Sequence, residues 1–269
     1  MRIALLTSSS APGIERLLAD PNRGSVYELA AVLGSEPRLA QQELLERARV
    51  PVVLRPIKPF HAEHGLPFRN LNARAEYDTE TAGILASFGA DYVLLAGYRY
   101  IVTEPLLDAY PQKMIALHDG DLTIRDDDNR RRYSGSHAVR EAILSGEDAT
   151  RSSAFIVTRD VGEGPLFLMS GGWPVAQLAR DARSSGDVDT LCSYADLHRT
   201  WMKNAVWGEM LVRICELLAG GAGAMQIVSD LVFIDGAPAP CRLGHAPSMC
   251  HELHAAIAGI PASCPFFTL

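Results

Sequence analysis

Short, continuously apolar runs alternate along the chain with stretches in which apolar residues recur every three or four positions. The first pattern is typical of buried strands and the second of helices that cover a sheet. The predicted strands are residues 2–7, 26–33, 50–54, 92–96, 113–118, 155–158 and 166–169. The predicted helices are residues 14–18, 38–49, 73–88, 105–110, 136–144 and 190–218. This alternation favours an α/β fold with a mostly parallel sheet that is covered by helices on both faces.

Three stretches fall outside this alternation. The segment 56–72 has no period and is predicted to be a surface loop. The segment 125–132, RDDDNRRR, mixes both charges and is typical of a solvated loop; the alternative is a mobile loop whose arginines meet an anionic ligand. A strand is predicted over 231–234, followed by a tail rich in proline, glycine and cysteine. We therefore divide the chain into an α/β domain over 1–221 and a C-terminal extension over 222–269.

The composition is that of a globular protein and narrows the kind of ligand. With 269 residues, of which 48% are hydrophobic and 21% charged, the chain can bury a full core. A net charge of −7 argues against a general affinity for nucleic acid, whose phosphates require clustered lysine and arginine. No apolar run has the length of a signal-peptide core or of a membrane span. We therefore expect a cytoplasmic protein with reduced cysteines that binds a small molecule rather than a nucleic acid or a membrane.

His118 is the leading candidate for a reactive side chain. It ends the predicted strand 113–118, and the strand before it ends nearby at Gly97. Ligands of open α/β sheets bind at the carboxyl ends of parallel strands, where both positions lie. The alternative for His118 is a histidine that caps a strand end with satisfied hydrogen bonds. His137 opens a predicted helix, and it is either part of the pocket wall or an ordinary helix-start residue.

Four short motifs follow one another in the chain. They are DYVLLAG over 91–97, ALHD over 116–119, GSH over 135–137 and VTRDVGEGP over 157–165. Together they resemble the folate-dependent formyltransferases, and within them the glycinamide ribonucleotide formyltransferases, over residues 1–240 in order and spacing. The resemblance implies a Rossmann-like formyltransferase fold. It also implies transfer of a formyl group from 10-formyltetrahydrofolate, or a related reduced folate, to the amino group of a small molecule.

The chain departs from the family at two of three catalytic positions. The family has Asn-x-His in the second motif and an aspartate in the fourth, where this chain has Ala116 and Gly162. His118 is the catalytic residue that the resemblance retains. Loss of one oxyanion donor typically costs on the order of 10²- to 10³-fold in turnover. Four nearby carboxylates could compensate for the missing aspartate: Asp119 and Asp121 follow His118, and Asp160 and Glu163 flank Gly162. We assign a catalytic role to Asp160 and Glu163.

The resemblance also implies which residues bind the two ligands. The predicted folate-binding residues are Gly97, Tyr98, Arg99, Tyr100, Ile101, His137, Gly162 and Gly164. The predicted acceptor-binding residues are Ser8, Ser9, Ser10, Gly13 and Asp119. Three serine hydroxyls could hold a phosphate or a carboxylate near a helix N-terminus. Pro12 removes one amide donor from this loop, which puts glycinamide ribonucleotide itself in doubt as the acceptor.

Two hypotheses for function therefore stand. The first is a formyltransferase-like enzyme that acts on a small-molecule amine with His118 as its catalytic group. The second is a diverged member that has lost formyl transfer, and that only binds a ligand or performs different chemistry in the same cleft. A homodimer is left open by the sequence.

The tail offers one alternative to an ordinary packing segment. It contains Cys241, His245, Cys250, His251 and His254. Four of them, all except His251, follow a Cys-x3-His-x4-Cys-x3-His spacing. This spacing could place four ligands around zinc, but it is not a usual structural-zinc spacing and Pro247 lies inside it. We therefore expect no metal and interpret the tail as a segment that packs on the domain or on a partner subunit.

Overall fold

A computed structural model describes residues 1–65, 67, 70–220, 225–228, 231–234 and 236–243, and the fold is given for these residues. The strands are β1 (Arg2–Thr7), β2 (Glu28–Gly34), β3 (Val52–Leu54), β4 (Tyr92–Leu95), β5 (Met114–His118), β6 (Ala149–Thr150), β7 (Ser153–Ile156), β8 (Leu166–Met169), β9 (Trp173–Pro174), β10 (Met225–Val228), β11 (Leu231–Ile234), β12 (Ala237–Pro238) and β13 (Cys241–Arg242). The helices are α1 (Ile14–Leu18), α2 (Gln42–Arg47), α3 (Ile57–Glu63), α4 (Leu71–Ser87), α5 (Glu104–Ala109), α6 (Ala138–Ser145), α7 (Gln177–Ser185) and α8 (Val188–Ala219).

The central sheet has eight strands in the order β13-β8-β7-β5-β4-β1-β2-β3. The five strands from β3 to β5 in this order are mutually parallel, whereas β7 is antiparallel to both of its neighbours. The chain runs outward from β1 to β3 and then returns to β4 on the other side of β1, so the strand order reverses between β1 and β4. Such a reversal opens a crevice at the carboxyl ends of the strands. The predicted α/β fold with a mostly parallel sheet is confirmed.

The apolar strands form two hydrophobic cores, one on each face of the sheet. Successive side chains of a strand point to opposite faces. In β1, Ile3 and Leu5 accordingly belong to one buried cluster, and Ala4 and Leu6 belong to the other. Helices cover both faces, which is why all of residues 3–6 in β1 are apolar rather than every second one.

Helix α8 is the longest element and crosses the start of the chain. Its first turn is capped by Asp187, whose carboxylate accepts a hydrogen bond from the Thr190 amide at 3.0 Å. Trp207 is buried and donates its Nε1–H to the Ser152 hydroxyl at 2.9 Å. Gly208, the next residue, meets Gly13 in the loop after β1, where a Cβ on Gly13 would lie 2.7 Å from the Cα of Gly208. The helix can therefore approach β1 this closely only because neither position has a side chain.

The prediction of a surface loop over 56–72 was wrong. Helix α3 occupies its first half, and α4 begins at its end, where the Asn70 side chain accepts hydrogen bonds from the amides of Asn72 and Ala73 at 2.8 and 3.3 Å. Pro59 hides α3 in the sequence, because proline usually ends a helix. Here it is the third helical residue, where the amide has no partner within the helix in any case.

The described part of the C-terminal extension packs against the α/β domain. Strands β10, β11 and β12 form a small antiparallel sheet, and Val232 and Ile234 of β11 belong to the larger buried core. Strand β13 pairs with β8 and extends the central sheet by one strand. The boundary at residue 221 stays a prediction, since these contacts join the two parts that it separates.

Most of the predicted zinc ligands lie outside the described residues. Cys241 is described and is a free thiol, whereas His245, Cys250, His251 and His254 are not described. Within the described ranges, no group of three or more histidine, cysteine, aspartate or glutamate residues is placed to hold a metal ion. No helix in these ranges has the length and apolar character needed to cross a membrane.

The contact between Gly13 and Gly208 can be tested by Gly13→Ala. Gly24→Ala is a matched control, because both glycines have a left-handed φ, +84° and +89°, but a Cβ on Gly24 would meet nothing within 4 Å. Backbone strain is therefore common to both variants, and the collision with α8 is specific to Gly13→Ala. We expect Gly13→Ala to lower the free energy of unfolding by about 1–3 kcal/mol more than the control, as overpacking does. Urea denaturation measures the difference in the free energy of unfolding. Equal decreases in both variants would mean that α8 shifts to accommodate the methyl group without loss of stability.

Candidate active site

The loops that follow β1 and β4 touch each other at the carboxyl edge of the sheet. The Ser8 amide donates to the Gly97 carbonyl at 3.2 Å. Gly97 has a left-handed φ of +78°, and a Cβ there would lie 2.5 Å from the carbonyl oxygen of Ser10. Glycine is therefore required at position 97 by the close approach of the two loops. The structure thus brings together the predicted acceptor-binding serines and the start of the predicted folate-binding segment.

Internal hydrogen bonds occupy part of the serine loop. The Ser8 side chain is buried, lies 3.1 Å from the Ser35 hydroxyl and accepts a hydrogen bond from the Arg99 amide at 3.1 Å. The Ala11 amide donates to the Gln41 side chain at 3.0 Å, and the Ser10 carbonyl accepts from the Thr7 hydroxyl. Ser9 is exposed. Gly13 is explained by its contact with α8, so its presence needs no ligand.

His118 ends β5 half-buried, and a backbone carbonyl fixes its ring. Its Nε2 lies 2.7 Å from the carbonyl oxygen of Tyr133. A carbonyl oxygen only accepts, so Nε2 carries the hydrogen and Nδ1 is the basic nitrogen of the neutral ring. Gly120 completes the turn, because a Cβ there would lie 2.8 Å from both His118 Nε2 and Ala138 Cβ. The imidazole is therefore held in one tautomer by a turn that requires glycine.

The two acidic residues after His118 face arginine or lysine. The buried Asp119 carboxylate accepts a hydrogen bond from Arg199 Nε, and its Oδ2 lies 3.8 Å from the ammonium nitrogen of Lys203. Asp121 is also buried and pairs with Arg151 at 2.9 Å. In the part of the chain that the structure describes, the bonds of these two carboxylates therefore lead away from the imidazole of His118.

The glycine-rich loop comprises residues 157–165. Its two acidic residues likewise contact groups other than His118. Glu163 pairs with Arg125 at 3.2 Å and lies 3.6 Å from Arg131 Nε. Asp160 is exposed, and its backbone carbonyl accepts from the Glu163 amide at 3.1 Å. Neither carboxylate bonds to His118 among the described contacts, and the catalytic role assigned to both stays a prediction. The group that orients the histidine is instead the carbonyl of Tyr133.

Ala116 lies on the same face of β5 as His118. It is opposite Leu95 of β4 and Phe155 of β7, and it is 9% exposed within an apolar cluster. Its methyl group provides no hydrogen-bond donor at the position where the family resemblance places an amide. The histidine therefore stands beside an apolar surface instead of a second polar side chain.

Arg131 holds the glycine-rich loop in place. Its side chain is buried and donates to the carbonyl oxygens of Gly162 at 2.5 Å and Gly164 at 2.7 Å. Burial lowers the pKa of Arg131, and the facing Glu163 carboxylate acts in the opposite direction. The charged segment 125–132 is exposed at most of its positions, as predicted for a solvated loop, but Arg131 is an exception that composition alone could not identify.

Aromatic and charged groups surround the segment after β4. The rings of Tyr98 and Tyr100 meet edge to face at 5.7 Å, and the Tyr100 hydroxyl donates to Glu36 at 2.7 Å. Burial and this bond raise the pKa of Tyr100 to about 12. The guanidinium of Arg74 lies 4.8 Å from the Tyr100 ring centroid. Glu36 and Arg74 were not predicted, because they reach the site from the loop after β2 and from α4.

The remaining residues of the predicted folate site are more open to solvent. Arg99 contacts Glu36 at 3.2 Å but keeps 65% of its side chain exposed, and Ile101 is 50% exposed. His137 is exposed at the N-terminus of α6, where its side chain makes no capping hydrogen bond. The roles of Gly97–Ile101, His137, Gly162 and Gly164 in ligand binding stay predictions.

Two cations of α8 complete the site and were also not predicted. Arg199 and Lys203 are four residues apart, so both project from one face of the helix toward Asp119. The Lys203 ammonium also lies 4.2 Å from the Trp207 ring centroid. Burial lowers the pKa of Lys203, while Asp119 raises it. The spacing of the two basic residues on a predicted helix was a usable signal, but their partner Asp119, just after β5, was not evident in the sequence.

Comparison with known proteins establishes the family. Residues 1–175 match the formyl transferase family, which is more than half of the chain, and the protein belongs to this family. A formyltetrahydrofolate deformylase of Escherichia coli (strain K12) is 27% identical over 168 residues, which are 62% of this chain and 52% of that protein. A methionyl-tRNA formyltransferase of Nitratidesulfovibrio vulgaris (strain DP4) is 30% identical over 113 residues, 42% of this chain and 31% of that protein. The chain thus spans about half the length, or less, of these curated relatives.

Solved structures of similar proteins confirm the fold. Phosphoribosylglycinamide formyltransferase from Coxiella burnetii superimposes with a TM-score of 0.64 at 18% identity, covering 91% of this chain and 99% of that one. Glycinamide ribonucleotide transformylase 1 from Symbiobacterium toebii superimposes with a TM-score of 0.60 at 23% identity, covering 87% and 93%. The predicted formyltransferase fold and the predicted family are therefore both confirmed.

The two hydrogen bonds from Arg131 to the glycine-rich loop can be tested by Arg131→Met. Arg130→Met, at the neighbouring exposed position, is the control. Loss of the charged donor leaves the Gly162 and Gly164 carbonyls without their partner. We expect Arg131→Met to lower the free energy of unfolding by about 1.5–3 kcal/mol, the usual range for hydrogen bonds to charged groups. Amide hydrogen exchange over 160–164 should accelerate in the same variant. If stability and hydrogen exchange changed no more than in Arg130→Met, the loop would hold its shape without the hydrogen bonds from Arg131.

Proposed function

We propose that the protein transfers a formyl group from 10-formyltetrahydrofolate, or a related reduced folate, to the amino group of a small molecule. Membership of the formyl transferase family and the names of its relatives support this class of reaction. The observation that carries the proposal is the position of His118 at the carboxyl end of β5, with Nε2 bonded to the Tyr133 carbonyl and Nδ1 available as a base.

His118 supplies the proton transfer that this reaction needs. An amine that attacks a formyl carbon must lose a proton, and a neutral imidazole accepts one at a suitable pH. Nδ1 takes this proton, and the resulting imidazolium is stabilised by the Tyr133 carbonyl, because both ring nitrogens then carry hydrogens. His118 then returns the proton to the nitrogen of the departing folate. The carbonyl thus fills the place that an orienting carboxylate has in many catalytic triads.

The residues after β4 fit the chemistry of a folate. A folate combines a flat aromatic ring system with a glutamate tail, and when bound it supplies the reactive formyl carbon. Ile101 offers exposed apolar surface, while Tyr98 and Tyr100 offer aromatic edges. The largely exposed guanidinium of Arg99 is suited to the carboxylates of the tail. These features support a folate as the donor.

Ala116 and Gly162 favour a second candidate, a folate-binding protein without formyl transfer. Neither residue provides a side-chain donor or carboxylate, and Gly162 is already engaged with Arg131 through its carbonyl. The two candidates predict the same ligand but different turnover. A measurement of binding together with turnover therefore separates them.

The role of His118 can be tested by His118→Ala, with His64→Ala at the C-terminal cap of α3 as the control. We expect His118→Ala to bind 10-formyltetrahydrofolate as tightly as the wild type, while formyl transfer to a panel of small amines falls by about 10²- to 10⁴-fold, because general acid–base catalysis is lost. Calorimetry measures binding, and mass spectrometry measures formylated product. Failure of the wild type to bind the folate would refute the proposal, whereas binding without product would favour the second candidate.

The missing donor can be tested by Ala116→Asn, with Ala116→Leu as a control of similar shape. An amide at position 116 would place a donor on the same face of β5 as His118, two residues away. One oxyanion donor is typically worth on the order of 10²- to 10³-fold in turnover, so we expect kcat to rise in Ala116→Asn and to fall in Ala116→Leu. Equal loss of activity in both variants would show that the apolar character of this surface is itself required.

A further inference from the structure

The feature that the proposed reaction does not use is the group of cations beside Asp119. Arg199 donates to the Asp119 carboxylate, and Lys203 Nζ lies 3.8 Å from the same oxygen. Asp119 is 4% exposed, so this carboxylate is a fixed part of the protein interior. Asp119 directly follows His118 in the chain, so the cations are held by the residue next to the proposed proton-transfer group.

The charges in this group do not balance. In the described parts of the chain, Asp119 is the one carboxylate that forms an ion pair with Arg199 or Lys203, so two cations share one anion. Arg99, from the loop after β4, is close enough to disfavour the charged form of Lys203, but it has its own partner in Glu36. Neighbouring acidic residues of α8 are engaged elsewhere, Asp196 with Arg140 and Glu209 with Arg16. The positive charge of Arg199 and Lys203 together therefore exceeds the negative charge of Asp119.

The two cations are exposed to solvent to different degrees. The Arg199 side chain is 41% exposed, and the Lys203 side chain is 17% exposed. The ammonium of Lys203 lies between two groups, 4.2 Å from the Trp207 ring centroid and 3.8 Å from Asp119 Oδ2. A small anion that enters from solvent can therefore contact Arg199 directly and approach the ammonium of Lys203.

Part of the loop after β1 is already engaged in internal hydrogen bonds and is not open to an anion. The amides of Ser8 and Ala11 donate to Gly97 and Gln41, and Pro12 has no amide hydrogen. The Ser8 hydroxyl is buried against Ser35. An acceptor with a negative group would find stronger partners on α8 than on this loop.

We infer that Arg199 and Lys203 bind an anionic group, a phosphate or a carboxylate, on the amine that accepts the formyl group. The inference rests on the proposed function and adds the chemical class of the acceptor to it. Arg199 provides a guanidinium suited to two oxygens of one anion, and Lys203 provides a point charge at its side. Asp119 holds both cations in position, so the site is organised before the acceptor arrives.

Titration of the full chain with inorganic phosphate and with acetate, at matched ionic strength, tests this inference. Arg199→Gln and Lys203→Gln are compared with Arg213→Gln, an exposed arginine of the same helix that pairs with Glu216 at 3.1 Å. We expect wild type and Arg213→Gln to bind one of the two anions with the same Kd. Each of the other variants should bind it about tenfold or more weakly, as loss of a charge-assisted hydrogen bond predicts. Lys203→Arg should retain binding. Preference for phosphate or for acetate identifies the anionic group.

Thermal unfolding of the same variants separates binding from stability. A lower Tm with an unchanged anion Kd in Arg199→Gln and Lys203→Gln would overturn the inference, because the cations would then serve only to neutralise Asp119. Absence of anion binding by the wild type would overturn it as well. Folate binding is measured in parallel. The presence of folate binding without anion binding refutes this inference alone. The absence of folate binding with anion binding refutes the proposed function, and leaves Arg199 and Lys203 as an anion site for a ligand other than a formyl acceptor.

Discussion

The close crossing of Gly13 and Gly208 is the constraint on which the arrangement of the site depends. It allows α8 to lie against the loop after β1, where a side chain on either residue would collide with the other backbone or with Arg16. Because the helix is rigid, this contact also sets the position of residues one and two turns away. Lys203 and Arg199 therefore reach Asp119 just after β5, and Trp207 reaches Ser152 beside β7. One glycine pair thus couples the start of the chain to both sides of the histidine.

The environment of His118 is set by main-chain groups. The Tyr133 carbonyl orients the imidazole, and Arg131 fixes the glycine-rich loop through the carbonyls of Gly162 and Gly164. Such bonds depend on backbone geometry and not on a side-chain acceptor. The imidazole and the loop are therefore held without a side-chain carboxylate at either place.

The sequence predicted the sheet and most helices because their apolar periods are strong and local. It placed His118 correctly at the end of a parallel strand because that strand is a short, continuous apolar run. The roles of His118, Ala116 and Gly162 stay predictions. The sequence did not predict α3, where Pro59 masks a helical turn. It also did not predict that Asp119 and Glu163 pair with arginines instead of His118, since Arg199 and Arg131 are far from them in the chain. Ion pairs of long side chains depend on how elements cross, which no local pattern records.

The turn at Gly120 has a consequence for how this protein could change over time. A residue larger than glycine would strike the imidazole of His118, the Tyr133 carbonyl and Ala138, so the turn admits almost no variation. Position 199 on α8 is less restricted, because the Arg199 side chain is 41% exposed on a regular helix. The proton transfer proposed for His118 and the acceptor recognition proposed for Arg199 thus fall on segments that differ in their tolerance of mutation. Under these proposals, substitution at position 199 changes the acceptor while His118 keeps its position.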